Sequence, residues 1–366
     1  MKTTHFIAVM LIVTFSLPVV GLAEKDRFGD PLPEGAIQRL GTLRMRYSNT
    51  LQPGNRIADL GYLPDGKGVV AASNFVEIWD LSAGKLLFRQ QICKAKIVSM
   101  SVRSDGKALL LADVDGNVHE WDIASRRVLR KWQTGQKQLM RAQYSPDLKR
   151  VLTVGCIPPT IKEWDIATGK ELISITGEME HFTNGIYGPE GKTAIVDSES
   201  GYKPIILRYD LSTGKLIRAW LKDYYTYWRD LALSPDGKRI LIGSRTRATE
   251  WRLKDYKLLN TFTGHAGHAV SAVAYCKNPD QILTGCRDGS IRRWDRRKAK
   301  VLLRWIPHQT LVTHIAVSPD GKWVFSAGRN VVVESNIATG KPRFTWPRHS
   351  GAATAVAVLP TGVVAI

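Results

Sequence analysis

Among the 366 residues, His265, Thr284 and Asp288, with Trp294 close behind, have the types and order that could do chemistry. An imidazole, a hydroxyl and a carboxylate are the parts of a hydrolytic triad, in which the imidazole takes the hydroxyl proton and the carboxylate orients the imidazole. The indole argues the other way. A Trp this near would bury the hydroxyl, and a buried hydroxyl meets no substrate, so the expectation is a structural hydrogen-bonded tetrad. Other signatures are missing from the sequence: no Gly-rich phosphate loop, nucleophile elbow, Cys-x-x-Cys or His-Glu-x-x-His occurs, and of eight His only His265 and His268 lie close together. No catalytic, cofactor-binding or metal-binding residue is therefore assigned.

The tetrad sits in the stretch 264–295, and the rest of the chain reads as copies of it. Val270 to Tyr275 alternates as a strand does, and Asn278-Pro279-Asp280 turns the chain. Gln281 to Cys286 is a second strand, Arg287-Asp288-Gly289 a second turn, and Ser290 to Trp294 a third strand closed by Trp-Asp. The first turn recurs as Pro64-Asp65-Gly66-Lys67, Ser104-Asp105-Gly106-Lys107, Pro146-Asp147-Leu148-Lys149 and Pro189-Glu190-Gly191-Lys192. It returns at Pro235-Asp236-Gly237-Lys238, Pro319-Asp320-Gly321-Lys322 and Pro360-Thr361-Gly362, in steps of about 40 to 46 residues. Third strands end at Trp79-Asp80, Trp121-Asp122, Trp164-Asp165, Tyr209-Asp210, Trp251-Arg252, Trp294-Asp295 and Ser335-Asn336, each followed by a turn and a fourth strand.

This unit resembles the WD40 repeat, and the resemblance covers nearly all of 36–366. It implies an all-β, WD40-like β-propeller in which His265, Thr284, Asp288 and Trp294 link into the family's structural network. Other copies depart from that pattern: Asp115 and Trp121 lack the His, Trp164 has neither His nor Asp, and His308 and His349 lack the Trp. Packing is expected to hold those blades. Seven units are complete, and an eighth has only its first two strands, 353–358 and 363–366. The runs 36–40 and 42–47 would supply the missing pair, so eight blades are expected, the last closed by N-terminal strands; seven blades with a spare terminal segment is the alternative. First strands of a propeller line its channel, which makes His314 the His to watch.

Turns between third and fourth strands share one rim, so Arg126, Arg127, Arg296, Arg297, Lys298 and Lys300 should crown one face as a candidate anion-binding rim. The aromatic connection Tyr224, Tyr225, Tyr227, Trp228 and Arg229 falls on the opposite rim and is the candidate partner-binding site, since exposed Tyr and Trp make good contact residues.

Lys plus Arg exceeds Asp plus Glu by 19, with a pI near 9.8. That balance favours acidic polymers as partners; nucleic acid is disfavoured, because base-stacking aromatics are sparse beside the basic clusters. Residues 1–23 read as a signal peptide: Lys2, an apolar run from Phe6 to Leu17, and small residues at Gly21 and Ala23. Residues 24–35 are a lead-in and 36–366 a single propeller. A secreted or periplasmic location follows, with no membrane span once the signal is removed. Cys276 and Cys286 end partner strands at opposite ends, too far apart for a bridge. The leading expectation is a monomeric, non-catalytic, exported scaffold for protein partners, without cofactor. Alternatives are a propeller enzyme of lyase, glycosidase or quinone-dependent dehydrogenase type with a channel-mouth site, or a cell-envelope assembly factor. Mass mapping of the mature chain should find its first residue at Glu24.

Overall fold

The structure, a computed structural model, describes residues 38–40, 57–63, 65–72, 74–81, 85–200, 203–220, 230–265, 267–328, 331–347, 356–359 and 362–365. The chain divides into two compact units, 44–350 and the two ends, 1–43 with 351–366. The larger unit holds seven four-stranded antiparallel sheets, at 57–91, 97–133, 139–176, 181–220, 231–262, 270–305 and 314–347. In each, strands follow one another in chain order, the arrangement of an all-β propeller.

The turn chemistry explains the hairpins. Gly66, Gly106, Gly191, Gly237 and Gly321 take φ between 66° and 82°, which costs a residue without Cβ nothing. Leu148 stands in the same place at φ 59°. Asp105 Oδ1 accepts the Lys107 amide at 2.9 Å, and Asp65, Asp147, Asp236 and Asp320 repeat that contact. Fourth strands are mostly exposed, with Leu129 and Ile217 facing water. Several open on a cation, Lys85, Arg127, Lys257 or Lys300, which discourages edge-to-edge pairing with another chain.

Successive sheets pack face to face, each interface with its own apolar cluster. Leu63, Ile78, Ile97 and Trp121 join the first sheet to the second; Ile186, Ile206, Leu231 and Ile240 join the fourth to the fifth. The first sheet also packs on the seventh, through Leu60, Trp79 and Leu81 against Phe325, Ala327 and Val332.

A polar contact recurs across four of these interfaces. A Tyr ending a first strand donates to a buried Glu on the third strand of the preceding sheet. Tyr144 reaches Glu120 at 3.3 Å, Tyr187 reaches Glu163 at 3.0 Å and Tyr275 reaches Glu250 at 3.0 Å. Tyr62 of the first sheet reaches Glu334 of the seventh at 2.9 Å. An Arg completes each pair: Arg103 on Glu120 at 3.4 Å, Arg150 on Glu163 at 3.0 Å, Arg239 on Glu250 at 3.4 Å and Arg343 Nε on Glu334 at 2.7 Å. Burial, then the neighbouring carboxylate, pushes all four tyrosines above their ordinary value. At the other three interfaces the Tyr place holds Val102, Leu233 or Val317, and the Glu place Ile78, Arg208 or Arg293.

The smaller unit is a three-stranded sheet of Gln38–Leu40, Val356–Leu359 and Gly362–Ala365. The two chain ends pair, with Gln38 opposite Val358 and Leu40 opposite Val356. The N-terminal strand lies beside Val356–Leu359, whereas completing a half blade would have put it beyond Gly362–Ala365. The run 42–47, expected as the other half of that closure, lies outside the described residues, as do the signal segment 1–23 and the lead-in.

Tyr62→Phe and Tyr144→Phe each remove one donor from a buried carboxylate, a loss of about 1–3 kcal/mol. Urea denaturation should give similar losses for the two; a silent Tyr62→Phe beside a costly Tyr144→Phe would contradict the packing of first on seventh sheet.

Candidate functional site

Within the sixth sheet, Trp294 Nε1 donates to Thr284 Oγ1 at 2.8 Å, and His265 Nε2 lies 3.3 Å from the same oxygen. His265 and Thr284 are fully buried. The fourth expected member does not touch the imidazole. Arg292 stands between them, its guanidinium 2.9 Å from His265 Nδ1 and 3.4 Å from Asp288 Oδ2. A guanidinium only donates, so Nδ1 accepts and the imidazole proton sits on Nε2, facing Thr284. The imidazole nitrogen nearest the hydroxyl thus already carries its proton and cannot take another from it. Burial, reinforced by the Arg292 charge, lowers the His265 pKa from 6.5 to about 3. Asp288 would be raised by burial, but hydrogen bonds from Ser290 and the charge of Arg292 take it below its ordinary value. The Trp, Thr and His of the expected tetrad meet, the Asp does not reach the imidazole, and Arg292 is the unforeseen member. Arg292 opens the basic run that continues to Lys300, yet it is 4% exposed.

Two sheets expected to rely on packing alone have networks of their own. In the third, Trp164 donates to Thr153 Oγ1 at 2.9 Å, Thr153 donates to Gln136 Oε1 at 2.6 Å, and Gln136 Nε2 donates to Thr160. Gln136 fills the place of His265. In the seventh, His308 Nε2 lies 2.9 Å from Ser326 Oγ, with His308 lowered by burial to about 4. His349 is outside the described residues. The second sheet differs again. Its Trp121 Nε1 has no hydrogen-bond partner, and Asp113, His119 and Cys93 gather nearby.

First strands are mostly Ala, Val, Ile, Leu and Ser. Yet a cavity of about 260 Å3 lined by first-strand residues brings Arg141, Asp230 and His314 together. Asp230 accepts the amides of Leu231 at 2.9 Å and Val273 at 3.0 Å, and burial raises it above the ordinary carboxylate value. His314 lies where its strand position implied. Arg141 and Asp230 were missed because neither belongs to a motif; Arg141 lies within a first strand and Asp230 just before one.

The basic rim is only partly a rim. Arg126, Arg127, Lys298 and Lys300 are exposed, and Arg297 is exposed while donating to Asp280 at 2.7 Å. Arg296 departs from expectation. It is 9% exposed, donates to the Pro279 carbonyl at 2.8 Å and pairs with Glu250 at 3.3 Å and Asp280 at 3.4 Å, so its charge is already matched. Arg126 lies over the Phe88 face, 4.5 Å from its centroid. Tyr224, Tyr225, Tyr227, Trp228 and Arg229 lie outside the described residues.

Residues 256–295 and 299–330 match the family model described as WD domain, G-beta repeat, the stretch that holds His265, Thr284 and Trp294. Those two stretches match WD40 repeats, and the sheets that hold them belong to a β-propeller fold. Autophagy-related protein 16 of Arabidopsis thaliana is 24% identical over 70% of this chain and 50% of its own length. Protein groucho of Drosophila melanogaster is 27% identical over 43% of this chain and 22% of its own. The chain thus spans half or less of these curated relatives. Among solved structures, a chain of Kuenenia stuttgartiensis hydrazine synthase superposes with a TM-score of 0.67 at 15% identity, covering 79% of this chain and 98% of that one, a likeness of fold.

Burial of His265 and His308 predicts that this propeller loses stability in acid. A His whose pKa falls on folding contributes fully above the unfolded value near 6.5 and progressively less as pH drops towards about 3 for His265 and about 4 for His308. Each group can cost up to about 1.4 kcal/mol per pH unit in that window. The urea midpoint should therefore fall between pH 6.5 and pH 4. His265→Gln, which copies Gln136, should make the fall shallower.

Proposed function

We propose that this WD40 propeller is a non-catalytic scaffold that captures a protein partner after export to the periplasm or cell exterior. The observation that carries it is the sealing of its reactive-looking groups: His265 with Thr284, and His308 with Ser326, are buried pairs inside single sheets. A non-catalytic role fits that economy, because the only His–hydroxyl pairs described here serve packing. WD40 propellers bind proteins, and the sequence 224–229 is rich in the Tyr and Trp that make good contact residues. Among the described residues no helix is long and apolar enough to cross a membrane.

The blade count belongs to the same reading. Tyr62 on Glu334 and the shared core of Leu60 and Phe325 support a seven-bladed ring, the alternative foreseen beside eight blades, with the terminal three-stranded sheet as an addition to it. The exposed cations Arg126, Arg127, Arg297, Lys298 and Lys300 would favour an acidic partner surface or polymer on the rim that carries them.

A channel enzyme is the second reading, favoured by Arg141, Asp230 and His314 around one cavity. Affinity capture from an envelope extract separates the two. The scaffold reading expects a specific protein, lost with Tyr225→Ala and Trp228→Ala at an unchanged melting temperature, and kept with Asp230→Asn. Recovery of a small ligand instead, lost with Asp230→Asn, would favour the enzyme.

A further inference from the structure

The second sheet lacks the second-strand hydroxyl that the third, sixth and seventh sheets use. Where the sixth places Thr284 and the third Thr153, the second has Leu111, buried and apolar, and Trp121 Nε1 is left without an acceptor. Three ligating side chains gather there instead. Cys93 comes from the connection 92–96, as His265 comes from its own connection; Asp113 ends the second strand, and His119 sits on the third strand where the sixth sheet has Arg292. One donor atom from each, thiol sulfur, carboxylate oxygen and imidazole nitrogen, lies within 4.8 Å of the other two.

We propose that Cys93, Asp113 and His119 bind a zinc-like divalent transition metal, which clips the connection between first and second sheets to the second sheet. Tetrahedral zinc with one sulfur and two lighter donors needs ligand separations of about 3.3–3.7 Å. His119 Nε2 and Asp113 Oδ2 are already 3.1 Å apart. The adjustment falls on Cys93, which is in a connection and not in a strand, and now donates to the Ala95 carbonyl at 3.1 Å. Asp113 is held for the task. Its Oδ1 accepts the amides of Asp115 at 3.1 Å and Asn117 at 2.9 Å, and the Asn117 amide group bonds both oxygens, which fixes the carboxylate as an outer shell of hydrogen bonds does around metal ligands.

Charge and softness choose the metal. A thiolate, a carboxylate and a neutral imidazole sum to two negative charges, which a divalent ion cancels in a place where Asp113 and His119 are 1% and 2% exposed. Sulfur and nitrogen donors favour zinc or cobalt over magnesium or calcium. On binding, the thiol proton leaves to water and the imidazole proton moves from Nε2 to Nδ1. Cys93, the half-exposed member, opens a fourth position to water.

The full chain, stripped with chelator, should take up one Co²⁺ with a sulfur-to-cobalt charge-transfer band that Zn²⁺ abolishes. Zn²⁺ should raise its melting temperature by several degrees. Cys93→Ser should lose the band and the rise while melting like the wild type without metal; Cys156→Ser should keep both. Zinc should slow iodoacetamide labelling of Cys93 at least tenfold in the wild-type chain and leave Cys156 unprotected, a readout that stands even if a variant folds poorly. Absence of the band, its survival in Cys93→Ser, or equal labelling of Cys93 with and without zinc would overturn the assignment.

Discussion

A carboxylate shut between two sheets must be given donors, because taking it out of water alone costs several kcal/mol. Glu120, Glu163, Glu250 and Glu334 are all in that position, and the larger unit is arranged to satisfy them. The Tyr that answers each one comes from the next sheet, so the bond forms only if two sheets dock in the right register. Burial raises Glu163 and Glu334 above the ordinary carboxylate value despite the Tyr and Arg around them. Apolar clusters supply the attraction between sheets, and the Tyr–Glu–Arg contacts fix the alignment that non-directional packing leaves free.

Much of the fold was legible in the sequence because it rests on local rules. Pro-Asp-Gly-Lys turns and Trp-Asp endings fall where hairpins and third strands form, since φ at Gly and the reach of Asp to a backbone amide are decided within four residues. Contacts between sheets were harder to read. Tyr62 and Glu334 stand beside recurring markers, two residues before Pro64 and one before Ser335, but nothing local says they meet across 272 residues. The terminal runs were instead matched by counting strands, a weaker guide than the complementarity of Tyr and Glu places along the chain.

The candidate sites split the same way. His265, Thr284 and Trp294 came together because a repeat fixes their spacing. Arg296 was misjudged as part of the rim because a run of cations looks solvated in one dimension, while Arg292, Trp294 and Arg296, two residues apart, all turn inward. Gln136 was overlooked because an amide replaces an imidazole only if its length and donors fit, which geometry alone reveals. Arg141, Asp230 and His314 are far apart in the chain and meet because first strands from different sheets surround one cavity.

The unequal distribution of tyrosines carries information of its own. Around the seven sheets, each Glu place is followed by a Tyr and each Ile or Arg place by Val or Leu. Were the third sheet left out, Glu120 would still meet a tyrosine, in Tyr187. Omit any other single sheet and the mismatch appears: a buried acid would face Val102, Leu233 or Val317, or a tyrosine would face Ile78, Arg208 or Arg293. The sequence thus addresses its own modules: the third sheet excepted, an assembly that skips a neighbour leaves a buried acid or a tyrosine facing the wrong partner.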